Sequence, residues 1–186
     1  MVNWIVIGLI VLVVLVLLWA IGAYNRIIRL ENAIDNAWAQ IDVQLKRRAD
    51  LIPNLVNTVK GYAAHEKGVL EGVTQARAGL MAAKTPAEAN AADNMLTQAL
   101  GKLFAVAEAY PDLKANQNFL QLQDELTHTE NKVGFARQYY NDSVLAFNNA
   151  IETFPGNLIA GSFMGRHERK MLEIPVTDRE VPRVSF

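Results

Sequence analysis

Cysteine is absent from the 186 residues. No disulfide can form, no thiolate can serve as nucleophile or metal ligand, and an anchor built on a lipidated cysteine is excluded. Histidine is scarce, and its three copies do not cluster. "HEKGV" at His65 and "HERKM" at His167 begin like a zinc-protease motif but lack the second histidine four residues on. Glu125 and His128 form one Glu-x-x-His pair, whereas a di-iron bundle needs such a pair from each of two helices. No excess of positive charge exists either: 18 basic residues stand against 19 acidic ones, so nucleic acid is not an expected partner. No nucleophile elbow, Walker loop or dinucleotide fingerprint occurs. The expectation is therefore no cofactor, no metal and no enzyme activity. Catalysis would need a site formed between chains.

What is present begins with "WIVIGLIVLVVLVLLWAIGA", Trp4 to Ala23, 20 residues without a charge. As a helix it covers about 30 Å, the hydrocarbon thickness of a bilayer. Trp4 at one end, and Trp19 and Tyr24 at the other, suit the two interfaces. A cleaved signal peptide is the rival reading, but the positive leading segment is missing and the apolar run is too long. Arg26 and Arg29 follow the span and no cation precedes it. The positive-inside rule then predicts a single-pass inner-membrane protein with its bundle in the cytoplasm.

Past the span the apolar residues recur at three- and four-residue steps, which predicts helices over about 26–49, 51–83, 86–110 and 112–153. The first continues the span without a break. Lys46, Arg47 and Arg48 read as cations at a helix C-terminus, Asp50 as a cap and Pro53 as a first-turn proline, so "KRRADLIP" reads as a joint. A partner-binding basic tip and a simple kink are the alternatives. Thr85, Pro86 and Glu88 make a capping box at the start of the third helix.

The fourth helix carries Phe119, Leu122, Leu126, Thr129, Val133, Ala136, Tyr140, Val144, Phe147 and Ile151, close to a coiled-coil seam. At about 40 residues it outruns the third helix of about 24, so part of its seam needs another cover. The base of the first helix, a longer second helix, the tail or a second copy of the chain could supply it, and self-association is expected. Asn141, beside that stripe, is a candidate for fixing register across helices.

The fold class expected is all-α: a transmembrane anchor over 1–25, an antiparallel four-helix bundle over 26–154 and an amphipathic tail over 155–186. In the tail, Leu158, Ile159, Phe163 and Met164 precede Arg166, His167, Arg169 and Lys170. An apolar patch followed by cations suits a bilayer surface, a neighbouring subunit held against it, or the end of the bundle itself. The last prolines predict an extended end.

The stretches "YNRIIRLENAIDNAWAQIDVQLKRRADLIPNLVNTVKGYAAHE", "YPDLKANQNFLQLQDELTHTENKVGFARQYYN" and "FNNAIETFPGNLIA" resemble the LemA family, over about residues 24–163. The resemblance implies a single-pass membrane protein with a bromodomain-like four-helix bundle and no established catalytic activity. It also implies kinship with a magnetosome-associated branch tied to building membrane compartments. Positions matching the family pattern include Trp38, Arg47, Arg48, Asp50, Pro53, Glu130, Arg137, Asn148 and Pro155, none with a catalytic role.

Two functions follow as expectations. One is a scaffold that self-assembles and organises or remodels the membrane. The other is a membrane-tethered adaptor that recruits a membrane-protein partner through the basic tip at 46–53. Interaction candidates are Lys46, Arg47, Arg48, Asp50, Asn141, Phe147, Leu158, Ile159, Phe163 and Arg166.

Overall fold

A computed structural model describes residues 2–173, and every regular element among them is helical. The order is α1 (Val2–Lys60), α2 (Lys67–Ala82), α3 (Pro86–Ala107), the single turn α4 (Pro111–Lys114), α5 (Gln117–Glu152), the short α6 (Gly156–Ile159) and a π-helical turn (Ala160–Met164). The extended end expected beyond residue 173 lies outside the described residues. The chain forms two compact units.

The first unit comprises residues 2–37 and Tyr139–Met171. Its apolar stem, Ile5 to Leu18, is exposed along its whole length, so among the described residues nothing covers it. The same helix then becomes one-sided. Ile27, Ile34 and Ala37 are buried, as are Tyr140, Val144, Phe147 and Ile151 of α5. Helix α5 ends in a sharp turn. A Cβ at Gly156 would collide with the carbonyl oxygen of Ala150, so only glycine fits there. The chain reverses again at Gly165, whose φ of 59° is a left-handed value.

The second unit comprises Trp38–Gln138 with residues 172–173. Its core draws on Ile41, Leu45, Ile52, Leu55 and Val59 of α1, Val73 and Leu80 of α2, Leu96, Leu100 and Leu103 of α3, and Leu126 and Val133 of α5. Burial of these side chains at roughly 1.5–3 kcal/mol each is the main favourable term. Side-chain bonds join Arg77 to Ala49 at near-equal distances from the α1–α2 turn, and across the α3–α5 connection they join Thr97 to Glu130 and Asp93 to Arg137, one number falling as the other rises. Each of these helix pairs is therefore antiparallel.

The joint expected at 46–53 does not exist. Helix α1 runs through Pro53 and turns only after Lys60, at Gly61–Glu66. A proline inside a helix removes the N–H that would bond the carbonyl four residues earlier, here Ala49. That carbonyl is instead bonded by the Arg77 Nε–H at 2.7 Å, from the partner helix α2. The cost of an orphaned buried carbonyl is thus offset by a charged donor. Arg77→Met is expected to destabilise the fold by about 1.5–3 kcal/mol, the range for a hydrogen bond to a charged group. In a Pro53→Ala background, where the helical N–H returns, the same change should cost under about half as much. Urea unfolding of the four proteins of this cycle checks the coupling; equal costs in both backgrounds remove it.

The capping box stands as expected, with one difference. Thr85 Oγ1 accepts from the Glu88 N–H at 3.2 Å, and Pro86 opens α3. The Glu88 carboxylate reaches one residue further back, where it accepts from the N–H of Lys84 at 2.9 Å. This backbone bond holds the Glu88 carboxyl below its ordinary value. A carboxyl depressed on folding adds stability above its unfolded pKa, and that stability is lost as pH falls through the folded value. Acidification should therefore fray the first turn of α3 at a pH below the ordinary glutamate range. The Lys84 amide shift followed by NMR reports it, and a midpoint at or above the free glutamate value contradicts it.

The seam of α5 is also not left open. Phe119, Leu126, Thr129 and Val133 are buried in the second unit, and Tyr140, Val144, Phe147 and Ile151 in the first. The shorter α3 does not limit the cover: beyond Gln138 the seam is buried in the first unit, which holds the base of α1 and the returning tail. The expected reason for self-association, an apolar ridge too long for its own chain, is absent.

Candidate functional site

The most unusual chemistry lies inside the second unit. In α1, Ile41, Leu45, Arg48, Ile52, Leu55 and Val59 step by three and four, so Arg48 occupies a core position. In α3, Ala89, Asp93, Leu96, Leu100 and Leu103 do the same, which puts Asp93 in the core. Arg48 is 2% exposed and Asp93 1%. Arg48 Nη1 donates to Asp93 Oδ1 at 2.7 Å, and Arg137 Nη2, from α5, donates to Asp93 Oδ2 at 2.7 Å. Each carboxylate oxygen thus takes one guanidinium. Arg48 Nη2 also reaches Glu130 at 3.4 Å, and Glu130 accepts from the Thr97 hydroxyl at 3.3 Å. Two arginines meet two carboxylates, and the group is neutral.

This arrangement ties three helices together by charge-assisted bonds that have one satisfactory geometry. Among such groups, removal of one partner is far more damaging than replacement of the whole set. Arg48 Nε and Arg137 Nε are buried without a partner, while the terminal nitrogens carry the pairing. No cluster of three or more metal-ligating side chains occurs among the described residues. The carboxylates here face guanidinium groups, which makes the cluster a poor cation site.

The expected basic tip is dispersed by this geometry. Arg48 is buried and holds Asp93; its core position in the heptad decides this, not the neighbouring cations. Arg47 is exposed and 3.3 Å from Glu125, and Lys46 is exposed and 2.6 Å from Asp42, one helical turn back. Asp50 is exposed mid-helix and caps nothing. The adaptor surface at 46–53 therefore loses its defining shape. Phe147 and Ile159 are buried and offer no contact surface, because both lie on the inward face of their segments. Asn141 is partly buried on α5.

In the first unit, a second ionic group fixes the returning tail. Arg166 and Arg169 both reach Glu31, at 2.8 and 3.1 Å. The Asn148 side chain brackets Arg169: its Oδ1 accepts from the Arg169 N–H and its Nδ2 donates to the Arg169 carbonyl, both at 2.9 Å. Residues 166–169 therefore lie along the helices of this unit. In contrast, Phe154, Leu158 and Phe163 point outward. Trp19, Gly22, Ala23 and Arg26 share a cleft of about 340 Å³ with Thr153–Gly156.

A family model described as the LemA family matches residues 37–186. Protein LemA of Metamycoplasma hominis is 31% identical over 144 aligned residues, covering 75% of this chain and 64% of that protein. Magnetosome protein MamQ 2 of Paramagnetospirillum magneticum is 23% identical over 163, covering 74% of this chain and 60% of that protein. Magnetosome protein MamQ of Magnetospirillum gryphiswaldense is 22% identical over the same shares. The chain spans less than two thirds of the length of these relatives. Because the matched region holds the Arg48–Asp93–Arg137 cluster, the second unit and the α5 and tail segments of the first, the conclusion concerns the folded part of the molecule: the chain belongs to the LemA family.

Proposed function

We propose that the protein is a non-enzymatic, single-pass membrane scaffold whose assembled copies organise or remodel the bilayer. The observation that carries this reading is the stem. Its apolar side chains find no cover among the described residues, and the helix passes without a break into a packed helical unit. A bilayer supplies the missing cover. Arg26 and Arg29, which follow the stem, support an orientation with the folded units on the cytoplasmic side. The buried ionisable groups are engaged with one another, in keeping with a structural role rather than a catalytic one. Relatives named as magnetosome proteins point in the same direction.

With the α5 seam covered, assembly must use exposed surface. Copies anchored in one membrane meet at high local concentration, so weak lateral contacts suffice. The full chain, reconstituted in phospholipid vesicles at rising protein density, tests the reading. Electron cryo-microscopy should show clustered protein and vesicles whose shape changes with density. Evenly dispersed single copies on vesicles of unchanged shape would contradict it, as would a strictly monomeric species at micromolar concentration after gentle solubilisation. The adaptor reading keeps no specific support once the tip at 46–53 is found inside α1.

A further inference from the structure

We infer that the turn between α5 and the tail is a second membrane contact: Phe154, Leu158 and Phe163 enter the lipid interface beside the stem. This deepens the membrane reading and rests on the stem being in the bilayer. Depth is set by α1 itself. Trp19 and Tyr24 mark the end of the apolar run, where the hydrocarbon gives way to headgroups. The cleft shared by Trp19, Gly22, Ala23 and Arg26 with Thr153, Phe154, Pro155 and Gly156 puts the end of α5 at that same level. By residue 166 the chain has climbed back to Glu31, eight residues beyond Ala23, or roughly 12 Å along the helix. Residues 154–163 are thus the part of the turn nearest the bilayer.

Within that turn the side chains divide by chemistry. Ile159 and Ala160 are buried against the unit and hold the turn in place. Phe154, Leu158 and Phe163 are 79%, 55% and 84% exposed. Three large apolar groups are exposed within ten residues, and the first of them shares its cleft with an interfacial tryptophan, so the turn presents apolar surface where the stem ends. Arg26 and Arg29 on α1 are exposed just above this level, where phosphate groups lie. A lipid surface explains the aromatic side chains, the height and the adjoining cations together. A second copy of the chain explains only the first. Two contacts, one across the bilayer and one at its surface, would fix the tilt and rotation of the first unit on the membrane, which a single helix does not.

Since the chain has no cysteine, single cysteines accept a spin label at chosen positions and nowhere else. The full chain carrying Leu158→Cys or Phe163→Cys is labelled and placed in phosphatidylcholine–phosphatidylglycerol vesicles. Collision rates with oxygen, which favours lipid, and with a water-soluble nickel chelate are compared. Leu15→Cys in the stem gives the lipid reference. Leu145→Cys, exposed on α5 nine residues (roughly 13 Å) above Phe154, gives the aqueous one. The oxygen-to-nickel ratio at 158 and 163 is expected to exceed that at 145 by at least about threefold and to fall short of that at 15. Ratios equal to that at 145, with position 15 deep in lipid, overturn the second contact and leave the stem intact. An aqueous signal at position 15 overturns the stem and this contact with it. Spin–spin broadening at 158 or 163 that unlabelled protein relieves would assign the patch to a neighbouring copy and overturn the lipid contact.

Discussion

Asp93→Asn is expected to destabilise the protein by about 3–5 kcal/mol, the cost of stranding buried charge by removing one partner. In the native state the two oxygens of Asp93 each take a guanidinium, from Arg48 and from Arg137. Asparagine keeps the volume but removes the charge, and only its single carbonyl oxygen can still accept. Arg48 would then rely on Glu130, half-exposed and 3.4 Å away, and Arg137 would have no carboxylate. By the same reasoning Glu130→Gln should cost no more than about 1 kcal/mol, since a solvent-screened carboxylate contributes little. The combined change Arg48→Met, Asp93→Leu and Arg137→Leu should recover most of the loss, because it leaves no buried charge to strand. Chemical unfolding of the full chain in detergent, followed by helical circular dichroism, separates these outcomes. If Asp93→Asn lost less than about 1 kcal/mol, or the triple apolar variant were worse than the single one, the cluster would not be the fastening it is described as.

Features governed by near neighbours in the chain were readable from sequence. The stem announces itself by an unbroken apolar run, and the start of α3 by Thr85, Pro86 and Glu88, because both signals need only local chemistry. The inward stripe of α5 was equally plain, since periodicity survives whatever covers it. The continuity of α1 through Pro53 was not. It depends on Arg77, 24 residues later, supplying a donor to Ala49. Local rules weigh Pro53 as a helix start, and nothing nearby says that a distant side chain repairs the gap. Yet the true turn carried its own signal: Lys60 and then Gly61, a cation in the last turn followed by a glycine. The cover of the α5 seam beyond Gln138 is a separate matter: it lies in the first unit with the base of α1 and the returning tail, and helix lengths alone do not choose between these and a second copy.

Asp93 was missed for a different reason. It stands in register with Ala89, Leu96, Leu100 and Leu103, so its burial was implied by the same periodicity that marked the leucines. Charged residues are rarely fully buried unless paired, and pairing is a three-dimensional fact. Arg48 was noticed, but as one of three adjacent cations rather than as the one that occupies a seam position. An ionisable residue inside an apolar stripe is itself the sign of a buried ion pair, and two such residues on separate helices point toward each other. Of the outward residues, Leu158 and Phe163 could be named from composition; Phe154 needed the turn after α5 to be seen beside Trp19.

Arginine at both Leu12 and Leu15 should release the protein from the membrane while leaving the folded units as stable as before. Both positions are near the middle of the stem and exposed to anything that surrounds it. At the centre of a membrane helix each arginine costs about 2.5–3.5 kcal/mol on insertion scales, so the pair removes roughly 5–7 kcal/mol of insertion energy. Snorkelling relieves little of this, since neither residue is near an end. Neither side chain contacts the helical units, so in detergent the unfolding curve of the variant should overlay that of the parent. The two measurements are therefore expected to move independently: the membrane-retained fraction after alkaline extraction falls steeply, and the unfolding midpoint does not shift. A buried core helix demands the opposite pairing, with loss of stability and no selective loss of membrane retention. Retention of the variant in the alkaline-resistant membrane at the parent's level would mean that the stem is not what holds this protein to the bilayer, and the depth assigned to Phe154, Leu158 and Phe163 would lose its reference.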